Sequence, residues 1–160
     1  MKPDRAVRIG LLFLLGAVQL TWAGLTGEPL DLTITPPEAV IRESNLTLSV
    51  TMTNRSTLPI TLVKSNPGCD FAAEVRDVNG RSVPLTETGA ELCQCKEHAT
   101  EGRWIRVTLN PGESTEETYP IDLYYGLPRP GRYAVQLMRE IPSQPRRMTR
   151  SNEVILNLVE

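Results

Sequence analysis

Residues 45–54 read NLTLSVTMTN, and apolar and polar side chains alternate along the whole stretch. Leu46, Leu48, Val50 and Met52 share one parity, while the positions between them are Thr or Ser. Because successive side chains of a strand point to opposite faces, this stretch predicts a β-strand with one buried and one solvated face. β-branched threonines suit the solvated face of such a strand.

Similar short apolar runs recur along the chain, with turn residues between them. We expect further strands over residues 30–35, 58–63, 71–75, 104–109, 115–123, 131–138 and 152–159. Strands at this short spacing, with no convincing helix between them, are typical of two antiparallel sheets packed face to face. The fold class predicted is therefore all-β, an immunoglobulin-like antiparallel β-sandwich of about seven to nine strands.

Two turns carry the clearest local signals. Asn79-Gly80 predicts a tight hairpin that residues 82–85 complete, because both residue types tolerate positive φ. Asn110-Pro111-Gly112 predicts a second turn, in which Pro fixes φ at one corner and Gly accepts positive φ at the next. We expect this second turn to pair residues 115–123 back onto residues 104–109.

The first residues have the features of an export signal. Three basic residues lie among the first eight, residues 9–20 are almost uninterruptedly apolar, and Thr21-Trp22-Ala23 offers a cleavage site. About a dozen apolar residues fall short of the roughly 20 that span a bilayer. The sequence therefore predicts a cleaved signal peptide at residues 1–23, with no stable membrane anchor after cleavage.

The predicted mature chain, residues 24–160, suits a single domain that is secreted or periplasmic. Removing the signal takes away three basic residues and one acidic residue, which leaves 14 basic and 18 acidic side chains and a formal charge of −4. Such a balance lacks the basic footprint of a nucleic-acid-binding protein. A chain of this length buries enough surface to fold without a structural metal.

Four turn motifs follow one another in an order that resembles a known family. They are TNRS at residues 53–56, EVRD with Asn79-Gly80 at residues 74–80, LNPGES at residues 109–114 and PGRY at residues 130–133. Over residues 30–137 this order resembles the bacterial immunoglobulin-like domains grouped with the intracellular proteinase inhibitor of Bacillus, the BsuPI-like family. The resemblance implies a single β-sandwich, and the family name implies protease inhibition. The export signal and a cysteine-bearing loop depart from the family pattern.

Three cysteines, Cys69, Cys93 and Cys95, form the sharpest chemical feature, and His98 follows them. The last three of these residues fall in residues 87–101, which lack a 3.6-residue apolar repeat and are expected to form a long loop. In an exported protein we expect a disulfide from Cys69 to Cys93 or Cys95, which would contribute about 3 kcal/mol. A zinc or Cu(I) site, a redox-active thiol and three inert thiols are the alternatives.

Catalytic signals are weak throughout the sequence. His98 is the only histidine, so any serine or cysteine nucleophile would depend on it as a base. No Gly-rich phosphate loop follows a strand, and no pair of carboxylates stands out. We therefore expect a protein that is not an enzyme and that uses no cofactor.

A basic, proline-containing loop is expected between the last two strands. Its arginines are Arg139, Arg146, Arg147 and Arg150. Such a loop could bind an acidic partner or present a basic bait to a trypsin-like protease. The leading hypothesis is an exported, non-enzymatic binding or accessory module for an unknown protein partner or ligand. Protease inhibition through this loop and metal binding through the cysteines and His98 are the alternatives.

Overall fold

The computed structural model describes residues 28–37, 46–93, 104–128, 130–142 and 146–159, so the predicted signal peptide lies outside the described residues. Nine strands and three short helices lie within the described ranges. The strands are β1 (Leu30–Thr35), β2 (Thr47–Asn54), β3 (Ile60–Lys64), β4 (Ala72–Arg76), β5 (Ile105–Leu109), β6 (Ser114–Pro120), β7 (Gly131–Ile141), β8 (Arg147–Arg150) and β9 (Val154–Leu158). The helices are α1 (Pro67–Asp70), α2 (Glu87–Leu92) and α3 (Ile121–Tyr124).

The alternating stretch forms the middle strand of an antiparallel sheet with order β1-β2-β6. Leu48, Val50 and Met52 are completely buried, and Thr51 lies on the opposite face between Thr33 and Glu116. The predicted burial of one face of this strand is therefore confirmed.

The opposing layer is built on β7, the longest strand. β4 pairs with one edge of β7, and β8 and β9 pair in succession with the other edge, all antiparallel. Ser151 lies between β8 and β9, where its backbone N–H donates to Leu137 O at 2.8 Å and its Oγ accepts from Leu137 N at 2.9 Å. Residues 139–141 and 147–150 are thus strand, where a loop was predicted.

Asn54 lies at a corner between two antiparallel strand pairs, β2–β6 and β3–β5. Its completely buried side chain donates from Nδ2 to Leu58 O and Leu109 O, both at 2.8 Å, and accepts from Ser56 N at 2.9 Å. Gly112 N donates to Asn54 O at 2.8 Å, and φ of Gly112 is 81°. The turn at residues 110–112 is therefore hydrogen-bonded to Asn54. The predicted hairpin between residues 104–109 and 115–123 is wrong, because β5 pairs with β3 and β6 pairs with β2.

The two layers enclose one apolar core, so the predicted all-β sandwich is confirmed. Tyr119 links the layers, because its ring packs edge-on against Phe71 and stacks on Tyr124 with centroids 5.0 Å apart. On one side β1 is tied to the second layer by the side chain of Asn152, which accepts from Ile34 N at 2.8 Å and donates to Ile34 O at 3.0 Å. This amide and the parallel bridge between Leu32 and Ser151 cover part of the edge of β1.

Helix α2 corrects the first part of the loop predicted over residues 87–101, and residues 94–101 lie outside the described residues. Thr86 caps it, because the Thr86 hydroxyl accepts from Gly89 N at 2.8 Å. Gly89 permits the helix to touch α3, since a Cβ at this position would lie 2.2 Å from Tyr124 O. With fewer than two full turns the helix is too short to show a repeating apolar stripe. No helix in the described part of the chain is long and apolar enough to cross a membrane.

Candidate functional site

Arg139 is not part of an exposed binding loop, contrary to the prediction. It lies in β7 with only 3% of its surface exposed, on the same face as Leu137 and Ile141. Its Nη2 donates to Val63 O at 2.6 Å, and its guanidinium lies 4.9 Å from the centroid of the Phe71 ring. A partner outside the protein cannot reach this side chain.

Four charged side chains meet between the layers, and we call them the interlayer charge cluster. They are Lys64, Asp70, Glu117 and Arg139. Arg139 Nη1 lies 3.9 Å from both Asp70 Oδ2 and Glu117 Oε2, and Lys64 Nζ lies 3.0 Å from Glu117 Oε1. Two cations thus balance two carboxylates, as buried charges require. The cluster connects β3, α1, β6 and β7, which gives it a structural role.

The other three arginines of the predicted loop, Arg146, Arg147 and Arg150, are exposed on and beside β8. Arg146 Nε lies 3.3 Å from Glu140, and Arg150 Nη1 lies 3.6 Å from Glu74. Ion pairs at such exposed positions contribute little to stability. These arginines remain accessible to a partner.

Two of the three cysteines lie within the described residues. Cys69 belongs to α1, and Cys93 caps the C-terminus of α2, where Cys69 Sγ lies 3.5 Å from Leu92 O. Burial raises the pKa of the Cys93 thiol, which disfavours the thiolate. Cys95 and His98 lie outside the described residues. Within the part that the structure describes, no three His, Cys, Asp or Glu side chains are placed to hold a metal ion.

Three cavities follow the edge of β4 that faces away from β7. The cysteine cavity, of about 310 Å³, is lined by Cys69, Phe71, Cys93, Tyr119 and Tyr125 among others. The edge cavity, of about 380 Å³, shares Ala73 and Tyr125 with it. The end cavity, of about 440 Å³, shares Ser82 and Val83 with the edge cavity. Because neighbouring cavities share lining residues, they form one row, which we call the β4 groove.

The backbone of β4 is only partly covered along this groove. Val83 N donates to Val75 O at 2.9 Å, and the Tyr125 hydroxyl donates to Ala73 O at 2.9 Å. Gly80, with φ of 75°, closes the predicted hairpin, although its returning arm pairs with β4 mainly through the Arg76–Ser82 bridge. The short returning arm leaves the side of β4 open beside the groove.

The end cavity combines apolar and charged side chains. Its apolar lining includes Val83, Pro84, Pro128, Pro130 and Tyr133, and its charged lining consists of Asp77, Arg81 and Arg132. Asp77 Oδ1 accepts from Asn79 N at 2.8 Å and from Arg81 N at 2.9 Å. Both hydrogen bonds lower the pKa of the Asp77 carboxyl, and the one from Arg81 N has the larger effect. Burial raises the pKa of Tyr133, whose hydroxyl donates to Pro128 O.

Sequence reasoning did not identify the end cavity as a site. Its residues come from the Asn79-Gly80 hairpin and from the Pro130-Gly131-Arg132-Tyr133 motif, both of which were interpreted as turn signatures. The signal available in the sequence was that each turn carries an arginine, Arg81 or Arg132. Only the fold shows that both arginines line one cavity.

No protein-family model matches the chain, and no curated protein matches it.

Proposed function

We propose that this protein is an exported, non-enzymatic β-sandwich module that binds a ligand or partner segment in the β4 groove. The observation that carries the proposal is the row of three adjoining cavities along one strand edge. Binding sites are concave and mostly apolar, with a few polar groups that fix orientation, and the groove has this composition. The export signal in the sequence supports a secreted or periplasmic location.

The state of the reactive groups supports a binding role over a catalytic one. The charges of the interlayer cluster neutralise one another inside the protein. Burial raises the pKa of the Cys93 thiol, so the form that would act as a nucleophile is disfavoured. The tyrosines of the groove, Tyr119 and Tyr125, also have pKa values raised by burial and stay protonated at neutral pH.

A disulfide from Cys69 to Cys93 or Cys95 is part of this proposal. Cys69 Sγ lies 3.5 Å from Leu92 O, at the C-terminal end of α2. Cys93 follows Leu92 directly in the sequence, and Cys95 comes two residues later. Such a bridge would fix α1 relative to α2 and hold the shape of the cysteine cavity.

The binding role is tested with 8-anilinonaphthalene-1-sulfonate, an apolar anion, added to the folded mature protein. We expect amide chemical-shift changes in NMR spectra to concentrate on β4, residues 82–85 and Tyr125. Ser82→Trp, which fills the groove from an exposed position, should abolish these changes, while Thr33→Trp on the opposite sheet should leave them. The absence of localised shifts, or equal effects of the two variants, would contradict the proposal.

Protease inhibition is the second candidate, favoured by the exposure of Arg146 and Arg147 on the β7–β8 hairpin. Arg147 pairs with Ile141 and therefore has the extended backbone that a protease cleft can accept. Titration against trypsin-like and subtilisin-like enzymes decides the matter, with Arg147→Ala as the matched variant. Full protease activity at a stoichiometric excess of the protein would remove this candidate.

A further inference from the structure

Arg81 and Arg132 differ from most other arginines of the described chain. Five arginines have a carboxylate oxygen within ion-pair distance: Arg55, Arg76, Arg139, Arg146 and Arg150. In the described ranges Arg81 and Arg132 make no such ion pair, although both are exposed and both line the end cavity. One cavity is thus lined by two arginines, in a protein whose formal net charge is −2.

Asp77 offsets only part of this positive charge. Its carboxylate is held by the backbone N–H groups of Asn79 and Arg81, at 2.8 and 2.9 Å, inside its own turn. Among the residues that the structure describes, the charged side chains of the lining therefore leave an excess of positive charge. Charge complementarity favours an anionic ligand.

The rest of the lining selects the body of that ligand. Val83 and Tyr133 are buried and present apolar surface, and three prolines complete the wall. Tyr133 is held in place, because its hydroxyl donates to Pro128 O and Gly131 leaves room for its ring. A Cβ on residue 131 would lie 2.4 Å from the Tyr133 hydroxyl. At about 440 Å³ the cavity falls in the range of small-molecule sites.

We propose that the end cavity binds a carboxylate attached to an apolar or aromatic body. The planar guanidinium groups of Arg81 and Arg132 suit a carboxylate, which is a monoanion at neutral pH. The carboxylate could belong to a free organic acid or to the C-terminus of an apolar peptide. This inference depends on the proposed binding function and specifies the ligand class at one end of the β4 groove.

The test is calorimetric or NMR titration of the mature protein with phenylacetate and with its neutral analogue phenylacetamide. We expect phenylacetate to bind with shifts centred on residues 81–84 and 131–133, and phenylacetamide to bind about tenfold more weakly or not at all. Arg81→Ala and Arg132→Ala should each weaken phenylacetate binding about tenfold. Arg106→Ala removes another exposed arginine, one that lies outside the cavity, and should leave the affinity unchanged.

The source of the carboxylate is distinguished by a second pair of probes. Tighter binding of acetyl-Ala-Ala-Phe than of phenylacetate, lost in the amidated peptide, would identify a peptide C-terminus. Tighter binding of phenylacetate would identify a free acid. Equal binding of phenylacetate and phenylacetamide, unchanged affinity in both arginine variants, or no binding up to about 10 mM would overturn the inference. Localised binding of the naphthalene sulfonate elsewhere in the groove would still support the broader binding function.

Discussion

Arg132 and Arg139 belong to the same strand, β7, yet they have opposite environments. Seven positions separate them, and side chains an odd number of positions apart point to opposite faces of a strand. Arg139 therefore enters the space between the layers, where Asp70 and Glu117 surround it. Arg132 lies outside that space, exposed at the end cavity.

The contrast shows how one residue type can serve folding or binding according to its parity in a strand. At the Arg139 end of β7, neighbouring elements place two carboxylates 3.9 Å from the guanidinium. At the Arg132 end, the fold supplies a concave surface but no ion-pair partner within the described residues. We expect substitutions at the first end to change stability and substitutions at the second end to change binding.

The largest effect is expected for Arg139→Ala. Removing the guanidinium leaves the carboxylates of Asp70 and Glu117 buried with only Lys64 to balance them. We expect the free energy of unfolding to fall by about 3–5 kcal/mol, as measured by urea denaturation. A loss below about 1 kcal/mol would show that the interlayer charge cluster is dispensable.

A double substitution at the Arg139 end of β7 separates the effect of charge balance on stability from the effect of packing. Arg139→Met combined with Asp70→Asn removes one cation and one carboxylate and keeps the Lys64–Glu117 pair. We expect the double variant to be more stable than the sum of the two single effects predicts, because the remaining charges are balanced. Simple additivity in urea denaturation would argue against coupling between Arg139 and Asp70.

Cys69 lies beside Asp70 in α1, so the proposed disulfide would reinforce the Arg139 end of the molecule. We expect Cys69→Ala to lower the free energy of unfolding by about 3 kcal/mol, because the unfolded chain would lose a cross-link. A comparable loss in Cys93→Ala or in Cys95→Ala identifies the partner of Cys69. Intact mass of protein purified without reductant provides the check: a mass about two daltons low with no metal adduct indicates the disulfide. A bound metal would instead favour a site built on Cys69, Cys93, Cys95 and His98.

Arg132→Ala should have almost no effect on stability, because the side chain is exposed and makes no ion pair among the described residues. We expect the free energy of unfolding to change by less than about 0.5 kcal/mol, against the large loss in Arg139→Ala. Thermal and urea unfolding measure the difference. A destabilisation of Arg132→Ala comparable with that of Arg139→Ala would break the contrast between the two ends of β7.

The smallest effect concerns pH at the Arg132 end. The pKa of Asp77 is lower in the folded protein, because backbone N–H groups bond its carboxylate. Its contribution to stability is therefore present above the unfolded pKa and is lost as pH falls through the lower folded value. An NMR titration of the Asp77 carboxyl should give a midpoint below about 3.9, and a midpoint at or above that value would contradict the hydrogen bonding.

The strands that can be predicted from the sequence pattern alone are those in which apolar and polar residues alternate, such as β2 and β9. Burial of one face of a strand produces this period of two in the sequence. The partners of these strands do not follow from pattern. A turn at residues 110–112 predicts a hairpin locally, but the buried amide of Asn54 binds Leu58 O and Leu109 O and redirects both strands. Such a corner depends on contacts between residues 55 positions apart, which no local propensity encodes.

The candidate site shows the same division. The sequence determined the all-β class, the two glycine turns and the presence of Arg81 and Arg132, because periodicity and turn chemistry are local properties. The tertiary structure decided that Arg139 is buried, that Cys69 meets the end of α2 and that Arg81 and Arg132 share a cavity. These outcomes depend on strand parity, register and the packing of layers, which bring distant residues together only in the folded chain.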